Sequence, residues 1–471
     1  MPHRSTPLWS RRTVLRSAVT GAVLVGAAGL GACDPDNPRP GPDKPSSKST
    51  ENPFGVEQGR TVEVVLFDGG FGSEYGHAHA ELYNQQWGGG AEVTAVAELT
   101  TLQPRFDRGD PPDLVDNSGA AAMPVAPLIA AGRLADLKPL LDAPSVDDPG
   151  QKISDVLRPG VAESGTFDGI VRQLGYAFSL WGFWCSSALF DEKGWSPSRT
   201  WDEFRDLSER IADTGLSPYV HPGRHPNYQA TVILTQAVKH GGLDVLRNID
   251  NLEPDAWTNS SVLKAAQAWQ EYVADGFVLE GSAELDHRQA QQAWLDGRAA
   301  LLPCGTWLEN EMRDQVPADF DMIIAPFPAL TTSDELPWTA VHGGSSETFM
   351  VPADAENAPG AMEFLRQMLS KEGVARFTAA TGSLAAVKDA EAELTDPSSA
   401  LKSVAEVTAA AGEDVFEARY GVWYAALQKS VEDMTAKLMA GQASADEFCA
   451  VLQQTTDQVL ADPEVKKFRR P

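Results

Sequence analysis

The alternation of apolar and polar positions along the chain predicts an α/β protein. Residues 61–67 have the pattern of a strand, a helix is predicted for 73–87, and a second strand is predicted for 92–99. A short buried strand within 111–118 runs into a loop. Strands that alternate with helices favour a mostly parallel sheet covered on both faces.

Two turns in this first region are candidates for a binding cleft. Ligands bind to such sheets at loops beyond the carboxyl ends of strands, which points to Gly69–Phe71 and Asp116–Ser118. The glycines around Phe71 lack both the lysine and serine or threonine of a P-loop and the spacing of a dinucleotide motif. A tight turn is the simpler interpretation.

A second α/β region begins near Leu174. A strand is predicted for 176–183 and a short helix for 186–193. Thr200 and Glu203 have the spacing of a capping box at the start of the next helix.

Helical patterns dominate the rest of the chain. A helix is predicted for 284–296, followed by a strand at 299–303. Near the carboxyl terminus, apolar residues at helical spacing predict one face of a long helix: Trp423, Leu427, Val431, Met434 and Leu438.

The first 33 residues contain two export signals in succession. Ser10–Arg16 is typical of a twin-arginine signal. The apolar run that follows is short and rich in glycine, and it ends in a lipoprotein cleavage box, Leu30–Cys33. Cys33 is therefore predicted to carry lipid, although an ordinary secretory signal remains the alternative. Residues 34–59 are polar and rich in proline and serine, which predicts a flexible tether.

Composition and charge restrict the partners. The net charge of −28 argues against binding to nucleic acid or to anionic lipid headgroups. Beyond Cys33 the cysteines are Cys185, Cys304 and Cys449, without the spacing of a metal site. They are either small buried side chains or, for Cys185 and Cys304, a disulfide. No cofactor or metal is expected.

The tryptophans are the most informative candidates for ligand contact. The chain has 12, and several fall at predicted loop edges or strand–helix junctions: Trp181, Trp184, Trp307, Trp338 and Trp423. Sugars stack their C–H faces on such rings, and oriented polar groups bind the hydroxyls. Core packing remains the alternative for each residue. No nucleophile elbow is present, and no pair of carboxylates is singled out as a glycosidase site.

From Asn52 to Arg470 the chain resembles the extracytoplasmic solute-binding proteins of ABC sugar importers. The resemblance rests on five motifs in a fixed order, namely residues 112–116, 189–195, 200–204, 293–300 and 303–307. A narrower similarity to binding lipoproteins for N-acetylglucosamine and N,N′-diacetylchitobiose rests on residues 52–55, 111–119, 249–254, 303–311 and 362–366.

The resemblance implies a two-lobed clamp of the type II periplasmic-binding-protein class with discontinuous lobes. The chain would cross between lobes near 171–176, 344–347 and 382–384. The implied organisation is a signal peptide (1–33), a tether (34–59), a first lobe (60–172 plus 346–382) and a second lobe (173–345 plus 383–471).

The resemblance also implies ligand-binding positions. Asp116 and Asn117 would offer hydrogen bonds from the first lobe, while Trp307 and Trp423 would stack on sugar rings and Tyr228 would line the second lobe. Proximity to the hinge and cleft adds three further positions, namely Trp181, Glu309 and Glu347. One departure is clear, since relatives often have Tyr-Asn-Lys where this chain has Cys185-Ser186-Ser187.

The function implied is that of a receptor and not of an enzyme. It would capture an amino sugar or its short β-linked oligomer as a monomer on the outer face of the cytoplasmic membrane. It would then deliver the sugar to a permease driven by a cytoplasmic ATPase. The alternatives are a binding protein for another oligosaccharide, a lipid-anchored glycoside hydrolase and a structural surface protein.

Overall fold

The computed structural model describes residues 47–119, 121–318, 320–394 and 396–470. The twin-arginine motif, the cleavage box, Cys33 and most of the predicted tether lie outside these residues. Phe54 and Val56 fall inside the predicted tether, yet both are buried in a hydrophobic core. Asn52 organises this turn, because its side-chain oxygen accepts hydrogen bonds from the backbone N–H groups of Gly55 and Val56. Among the described helices, none combines the length and apolarity that a membrane crossing requires.

The strands and helices of the described residues alternate along most of the chain. The strands are β1 (Val62–Phe67), β2 (Ala91–Val96), β3 (Leu114–Asp116), β4 (Thr166–Phe167), β5 (Ile170–Val171), β6 (Leu174–Ser186), β7 (Ser217–Tyr219), β8 (Ala299–Gly305), β9 (Met322–Ala325), β10 (Val341–Met350), β11 (Leu384–Ala385) and β12 (Val415–Phe416). The first ten helices are α1 (Glu74–Trp87), α2 (Gln103–Arg108), α3 (Val125–Ala130), α4 (Lys138–Leu141), α5 (Ile153–Val156), α6 (Val161–Ser164), α7 (Ser187–Lys193), α8 (Trp201–Ala212), α9 (Asn227–Gly241) and α10 (Leu243–Asp250). The remaining nine are α11 (Ser260–Ala274), α12 (His287–Leu295), α13 (Leu308–Glu311), α14 (Ala358–Met368), α15 (Lys371–Thr381), α16 (Ser399–Ala411), α17 (Tyr420–Trp423), α18 (Ala425–Met439) and α19 (Ala445–Ala461).

The first region forms the parallel sheet that the sequence predicts. β1 pairs in parallel with β2 on one side and with β3 on the other. The predicted helix over 73–87 is α1, and it ends at Gly88, whose left-handed φ of 59° lets its N–H reach the carbonyl of Asn84. Beyond β3 the sheet turns antiparallel, because β10 runs against β3.

The long strand β6 lies at the centre of the sheet. The sheet order is β2-β1-β3-β10-β6-β8-β7, and β9 and β11 also pair with β6. Phe178 of β6 is paired both with Ser345 of β10 and with Leu384 of β11. The three segments for which lobe crossings are predicted therefore lie side by side.

An aromatic core stabilises the second region. Phe183 stacks on Phe204 with ring centroids 5.2 Å apart, and Phe204 stacks on Tyr272 at 5.0 Å. Tyr219 lies 5.0 Å from Trp269, which itself lies 5.1 Å from Tyr272. Such aromatic pairs add about 0.5–1.5 kcal/mol each beyond the area that they bury. This core therefore holds helices α8 and α11 against strands β6 and β7.

Two helix boundaries differ from the sequence predictions. The helix predicted for 284–296 begins at His287, because Asp286 and Gln289 form a reciprocal capping box there. The long carboxyl-terminal helix begins only at Ala425, so Trp423 belongs to the separate helix α17. The helical backbone is interrupted at Tyr424, whose φ of −135° and ψ of 87° are not helical.

One side-chain prediction is corrected, and one alternative left open by the sequence is decided. Thr200 caps α8 as expected by accepting from the Glu203 N–H, but the Glu203 carboxylate accepts from the N–H of Arg199 instead of closing the box on Thr200. Cys185 and Cys304 are buried free thiols and do not form a disulfide.

Candidate functional site

Four aromatic side chains from separate elements meet in what we call the aromatic cluster. They are Trp181 of β6, Tyr228 of α9, Trp307 after β8 and His342 of β10. The ring centroid of Trp181 lies 5.0 Å from Tyr228, 4.9 Å from Trp307 and 6.4 Å from His342, all edge to face. Trp181, Trp307 and His342 are only partly buried. The sequence named three of these positions and the fold brings them together.

Two glycines, Gly305 and Gly70, leave room for the Trp307 ring because they lack a side chain. A Cβ on Gly305 would lie 2.0 Å from the Trp307 ring, so the ring packs directly over the glycine backbone. On its other side the ring meets Gly70, where a Cβ would approach to 2.7 Å. Asn310 donates a hydrogen bond of 2.6 Å from Nδ2 to the Gly70 carbonyl. The loop after β1, a predicted cleft loop, therefore contacts the aromatic cluster.

Glu309 lies on the same short helix as Asn310. Ser398 donates a hydrogen bond of 2.9 Å to its Oε2 atom, and burial raises the pKa of the Glu309 carboxyl. A Cβ on Gly382 would lie 3.6 Å from the same oxygen. Glu309 is therefore close to the third predicted lobe crossing, near 382–384. One of its two carboxylate oxygens already accepts a hydrogen bond from Ser398.

A pair of buried carboxyl groups lies where β3 meets β10. Asp116 is fully buried and Glu347 is 6 % exposed, and their side chains hydrogen-bond each other. Asp116 also accepts from Ser118 Oγ at 2.6 Å and from the Tyr75 hydroxyl at 3.2 Å. Each of these donors stabilises the ionised form of Asp116.

The pKa values of both carboxyl groups are raised. Burial raises the pKa of Glu347 well above its ordinary value, and the charge of Asp116 raises it further. Burial also raises the pKa of Asp116, although its hydrogen bonds oppose this. Glu347 is therefore the group of the pair that burial and the neighbouring charge hold more strongly toward its protonated form. Its backbone has a φ of 49°, an uncommon conformation for a residue other than glycine.

The side chains of three predicted site residues contact other protein groups, either by hydrogen bonds or by packing. The Asn117 amide donates to the Met123 carbonyl at 3.0 Å and accepts from the Met123 N–H at 2.8 Å, which closes the loop after β3. Phe71 is 4 % exposed and packs 5.9 Å from Phe377. Trp423 is 8 % exposed, lies 5.6 Å from Phe468, and makes no ring contact with the described members of the aromatic cluster. Ligand contact by these three residues stays a prediction.

A chain of polar side chains lies behind Tyr228. Gln291 donates to Glu311 at 2.7 Å, and Nε2 of His287 lies 3.1 Å from the other Glu311 oxygen. His287 is in turn 3.3 Å from His225, whose ring centroid is 6.4 Å from Tyr228. The hydrogen bond to Glu311 raises the pKa of His287, whereas burial and the nearby His287 lower that of His225.

Sequence reasoning missed several residues of this site. Asn310 bonds the Gly70 carbonyl and His342 contacts Trp181, whereas His287 and Glu311 belong to the polar chain that reaches His225 beside Tyr228. Asn310 and Glu311 fall inside a motif that the sequence had singled out, which was the available signal. The partners of His287 come from distant segments and leave no local pattern.

Comparison with known proteins identifies the family. Residues 57–375 match the family model described as bacterial extracellular solute-binding protein. The chain is also 32% identical over 464 residues to the diacetylchitobiose binding protein NgcE of Streptomyces coelicolor, covering 98% of each chain.

Solved structures show the same fold. A chitin oligosaccharide binding protein superposes with a TM-score of 0.66 at 21% identity, over 82% of this chain and 94% of that one. The GacH receptor of Streptomyces glaucescens gives 0.68 at 17% identity, over 86% and 100%. The raffinose complex of the solute-binding protein RafE gives 0.64 at 17% identity, over 84% and 100%. The fold is the two-lobed α/β fold of periplasmic sugar-binding proteins, and the chain belongs to the family of bacterial extracellular solute-binding proteins.

Proposed function

We propose that this protein is the substrate-binding subunit of an ABC carbohydrate importer. It captures N-acetylglucosamine or chitobiose-type oligosaccharides outside the cell and delivers them unchanged to a permease that a cytoplasmic ATPase drives. The observation that carries the proposal is the 32% identity with the diacetylchitobiose binding protein, which extends over 98% of both chains.

The aromatic cluster supports a carbohydrate ligand. Trp181 and Trp307 present partly exposed rings beside Tyr228, and each large apolar group that a ligand buries contributes about 1.5–3 kcal/mol. Hydrogen bonds add discrimination, because an unmet buried polar group costs about 1–3 kcal/mol. Two or three stacked rings plus several hydrogen bonds, less the cost of closure, give a Kd of about 1 μM.

Ligand binding must compete with the contact between Gly70 and Trp307. A sugar that stacks on this indole replaces the glycine backbone, and Asn310 Nδ2 becomes free to bind a hydroxyl or an acetamido oxygen. A ligand shifts an open–closed equilibrium only by its differential affinity for the two states. A ligand therefore binds only when its contacts with Trp307 and Asn310 are more favourable than those that the Gly70 backbone makes with the same side chains.

The buried carboxyl pair does not have the arrangement of a glycosidase site. Catalytic carboxyl groups of glycosidases are about 5–9.5 Å apart, so that a sugar or a water fits between them. Asp116 and Glu347 instead hydrogen-bond each other directly. No space for a glycosidic bond remains between these two groups.

The proposal includes a lipid anchor at Cys33 and export by the twin-arginine route. The protein then acts as a monomer on the outer face of the membrane, held by the polar segment after Cys33. Metabolic labelling with a radioactive fatty acid tests the anchor. A Cys33→Ser variant should lose the label and appear in the medium, and a labelled variant would contradict lipidation at this residue.

Calorimetric titration of the mature protein tests the ligand. We expect saturable binding of N-acetylglucosamine or N,N′-diacetylchitobiose near a Kd of 1 μM and weaker or no binding of maltose and cellobiose. The absence of a binding signal for both amino sugars would exclude this ligand class. A chromogenic N-acetylglucosaminide in the same sample should remain intact, and its turnover would favour the hydrolase.

A further inference from the structure

The carboxyl group of Glu417 lies on the face of the sheet that carries the aromatic cluster. Glu417 directly follows strand β12, which pairs with the start of β10. A Cβ on Gly344 of β10 would lie 3.1 Å from Oε2 of Glu417, so the carboxyl group lies against the side-chain face of this glycine. Because Gly344 is two residues from His342 on one strand, both point to the same face.

The pairing of β10 with β6 gives the same placement. Gly344 lies opposite Ser179, and residues that lie opposite each other in antiparallel strands share a face. Ser179 is two residues from Trp181 on β6, so Trp181 also shares this face. The separation of 6.4 Å between the Trp181 and His342 rings agrees with this register. Glu417 therefore extends the surface that carries two rings of the aromatic cluster.

The carboxyl group of Glu417 is accessible, and its acceptor positions are free of protein donors. The side chain is 32 % exposed. Among the described residues no donor hydrogen-bonds either oxygen, and the ion-pair contact is with Arg419, whose Nη2 lies 3.9 Å from Oε2. The carboxyl groups predicted from the sequence differ, because Asp116 and Glu347 bond each other and Glu309 accepts from a serine. An ionised carboxylate accepts up to about four hydrogen bonds, so Glu417 has capacity for a ligand.

Glu417 lies in a recess of the surface. Burial raises the pKa of its carboxyl group, and the guanidinium groups of Arg419 and Arg470 oppose this rise. A side chain that protein atoms surround and that is still partly exposed lies in a concave place. Ligand sites for small molecules are concave in the same way.

Buried hydrogen bonds hold the backbone around Glu417. Arg470 Nη1 donates to the Glu417 carbonyl at 3.0 Å and to Oδ2 of Asp250 at 2.7 Å. The other oxygen of Asp250 accepts from the N–H groups of Arg419 and Tyr420 at 2.8 and 2.9 Å. Asp250 is fully buried. A group that is held in position before binding loses little conformational freedom when the ligand arrives, so Glu417 is preorganised.

We infer that Glu417 is a specificity-determining residue of the sugar site, whose carboxylate accepts hydrogen bonds from two neighbouring hydroxyl groups of a ring that stacks on the aromatic cluster. The rings supply the apolar surface for the C–H face, and the carboxylate supplies the acceptors for the hydroxyls at its edge. Hydrogen bonds to an ionised group are about twice as strong as those between neutral groups, so a ring without these hydroxyls is rejected. This inference rests on the proposed carbohydrate function.

Calorimetric titration of Glu417→Gln with N-acetylglucosamine and N,N′-diacetylchitobiose tests the inference. Glutamine keeps the shape of the side chain and removes the charge and one acceptor oxygen. We expect the Kd to increase about 10-fold, because hydrogen bonds to a charged group are weakened. Glu417→Asp keeps the charge but withdraws the carboxylate by one methylene group, and it should also weaken binding. Glu413→Gln is the matched control, because Glu413 is exposed and should leave the Kd unchanged.

Analogues that each lack one hydroxyl of N-acetylglucosamine distinguish a ligand contact from an indirect effect. The parent protein should bind the analogue that lacks a Glu417-bound hydroxyl about 10-fold more weakly than N-acetylglucosamine. Glu417→Gln should discriminate less against that analogue, because the partner of the missing hydroxyl is already altered. A purely structural role would weaken the binding of all these sugars by the same factor and leave the discrimination unchanged.

Two outcomes would overturn the inference. One is an unchanged Kd in Glu417→Gln, and the other is a weakened variant that discriminates among the analogues as the parent protein does. If Glu417→Gln does not fold, as judged by circular dichroism, the same two measurements on Glu417→Asp decide. A parent protein that binds these sugars while its Glu417 variants bind them equally well refutes this inference alone. A parent protein that binds no sugar refutes the carbohydrate proposal and this inference together.

Discussion

Glu347 should make the stability of this protein fall as pH rises. The folded protein keeps a proton on the buried pair of Glu347 and Asp116, whereas the unfolded chain releases it above the ordinary value of about 4.5. The folded state then binds more protons than the unfolded state, so the free energy of unfolding decreases with pH in this window. One proton corresponds to at most about 1.4 kcal/mol per pH unit, and the slope extends from the ordinary value up to the raised pKa of Glu347.

The substitution Glu347→Gln removes this titration and keeps the contact. The glutamine amide can donate to the Asp116 carboxylate as the protonated acid does, and the side chain has the same length. We expect a shallower dependence of stability on pH and a variant more stable than the parent at pH 7. Because burial also raises the pKa of Asp116, part of the slope should remain.

Urea unfolding followed by tryptophan fluorescence between pH 5 and pH 8 measures the effect. Glu271→Gln is the matched control, because Glu271 is an exposed residue of α11 and should leave the profile unchanged. Parallel profiles for Glu347→Gln and the parent protein would refute the raised pKa of Glu347. So would a variant that is less stable at every pH.

Three further substitutions test other features. Trp307→Ala should weaken sugar binding by about 1.5–3 kcal/mol in calorimetry. Trp423→Ala removes a buried side chain, so it should mainly lower the free energy of unfolding, by about 3–5 kcal/mol in urea. The opposite pattern would mean that Trp423 binds the sugar and Trp307 belongs to the core. Gly70→Ala places a methyl group 2.7 Å from the Trp307 ring, so the ligand-free protein should open, seen as a larger radius of gyration in solution scattering, and an unchanged radius would contradict this. Thr456→Val removes a fully buried hydroxyl that has no partner among the described residues and should stabilise the protein by about 1 kcal/mol without changing sugar affinity; a loss of stability would reveal a bonded hydroxyl.

The sequence predicts the local elements well, because strand and helix patterns are written in neighbouring residues. α1 and α7 begin within one residue of their predicted starts, and the fold class follows from their alternation with strands. The family resemblance also supplies Tyr228 and Trp307, and proximity to the predicted hinge supplies Trp181; these three side chains meet in space.

The sequence does not predict the contacts that join distant segments. The hydrogen bond from Asn310 to Gly70 links residues 240 positions apart, and no local pattern encodes it. The amide of Asn117, for which ligand contact stays a prediction, bonds the backbone of Met123, and the local sequence pattern does not show this contact. Whether a polar side chain faces a ligand or its own loop is decided by three-dimensional packing, which periodicity does not report.

The central strand β6 has a mechanical consequence. Its residues 174–180 pair with β10 and β11, and its residues 181–186 pair with β8 and β9, so a peptide-bond cleavage inside it would divide the residues on which these strands pair between two fragments. Neither fragment could complete its own sheet. Splitting the protein into two co-expressed pieces for a reporter assay should therefore succeed at exposed turns such as Gly215 or Gly276 and fail within Leu174–Ser186.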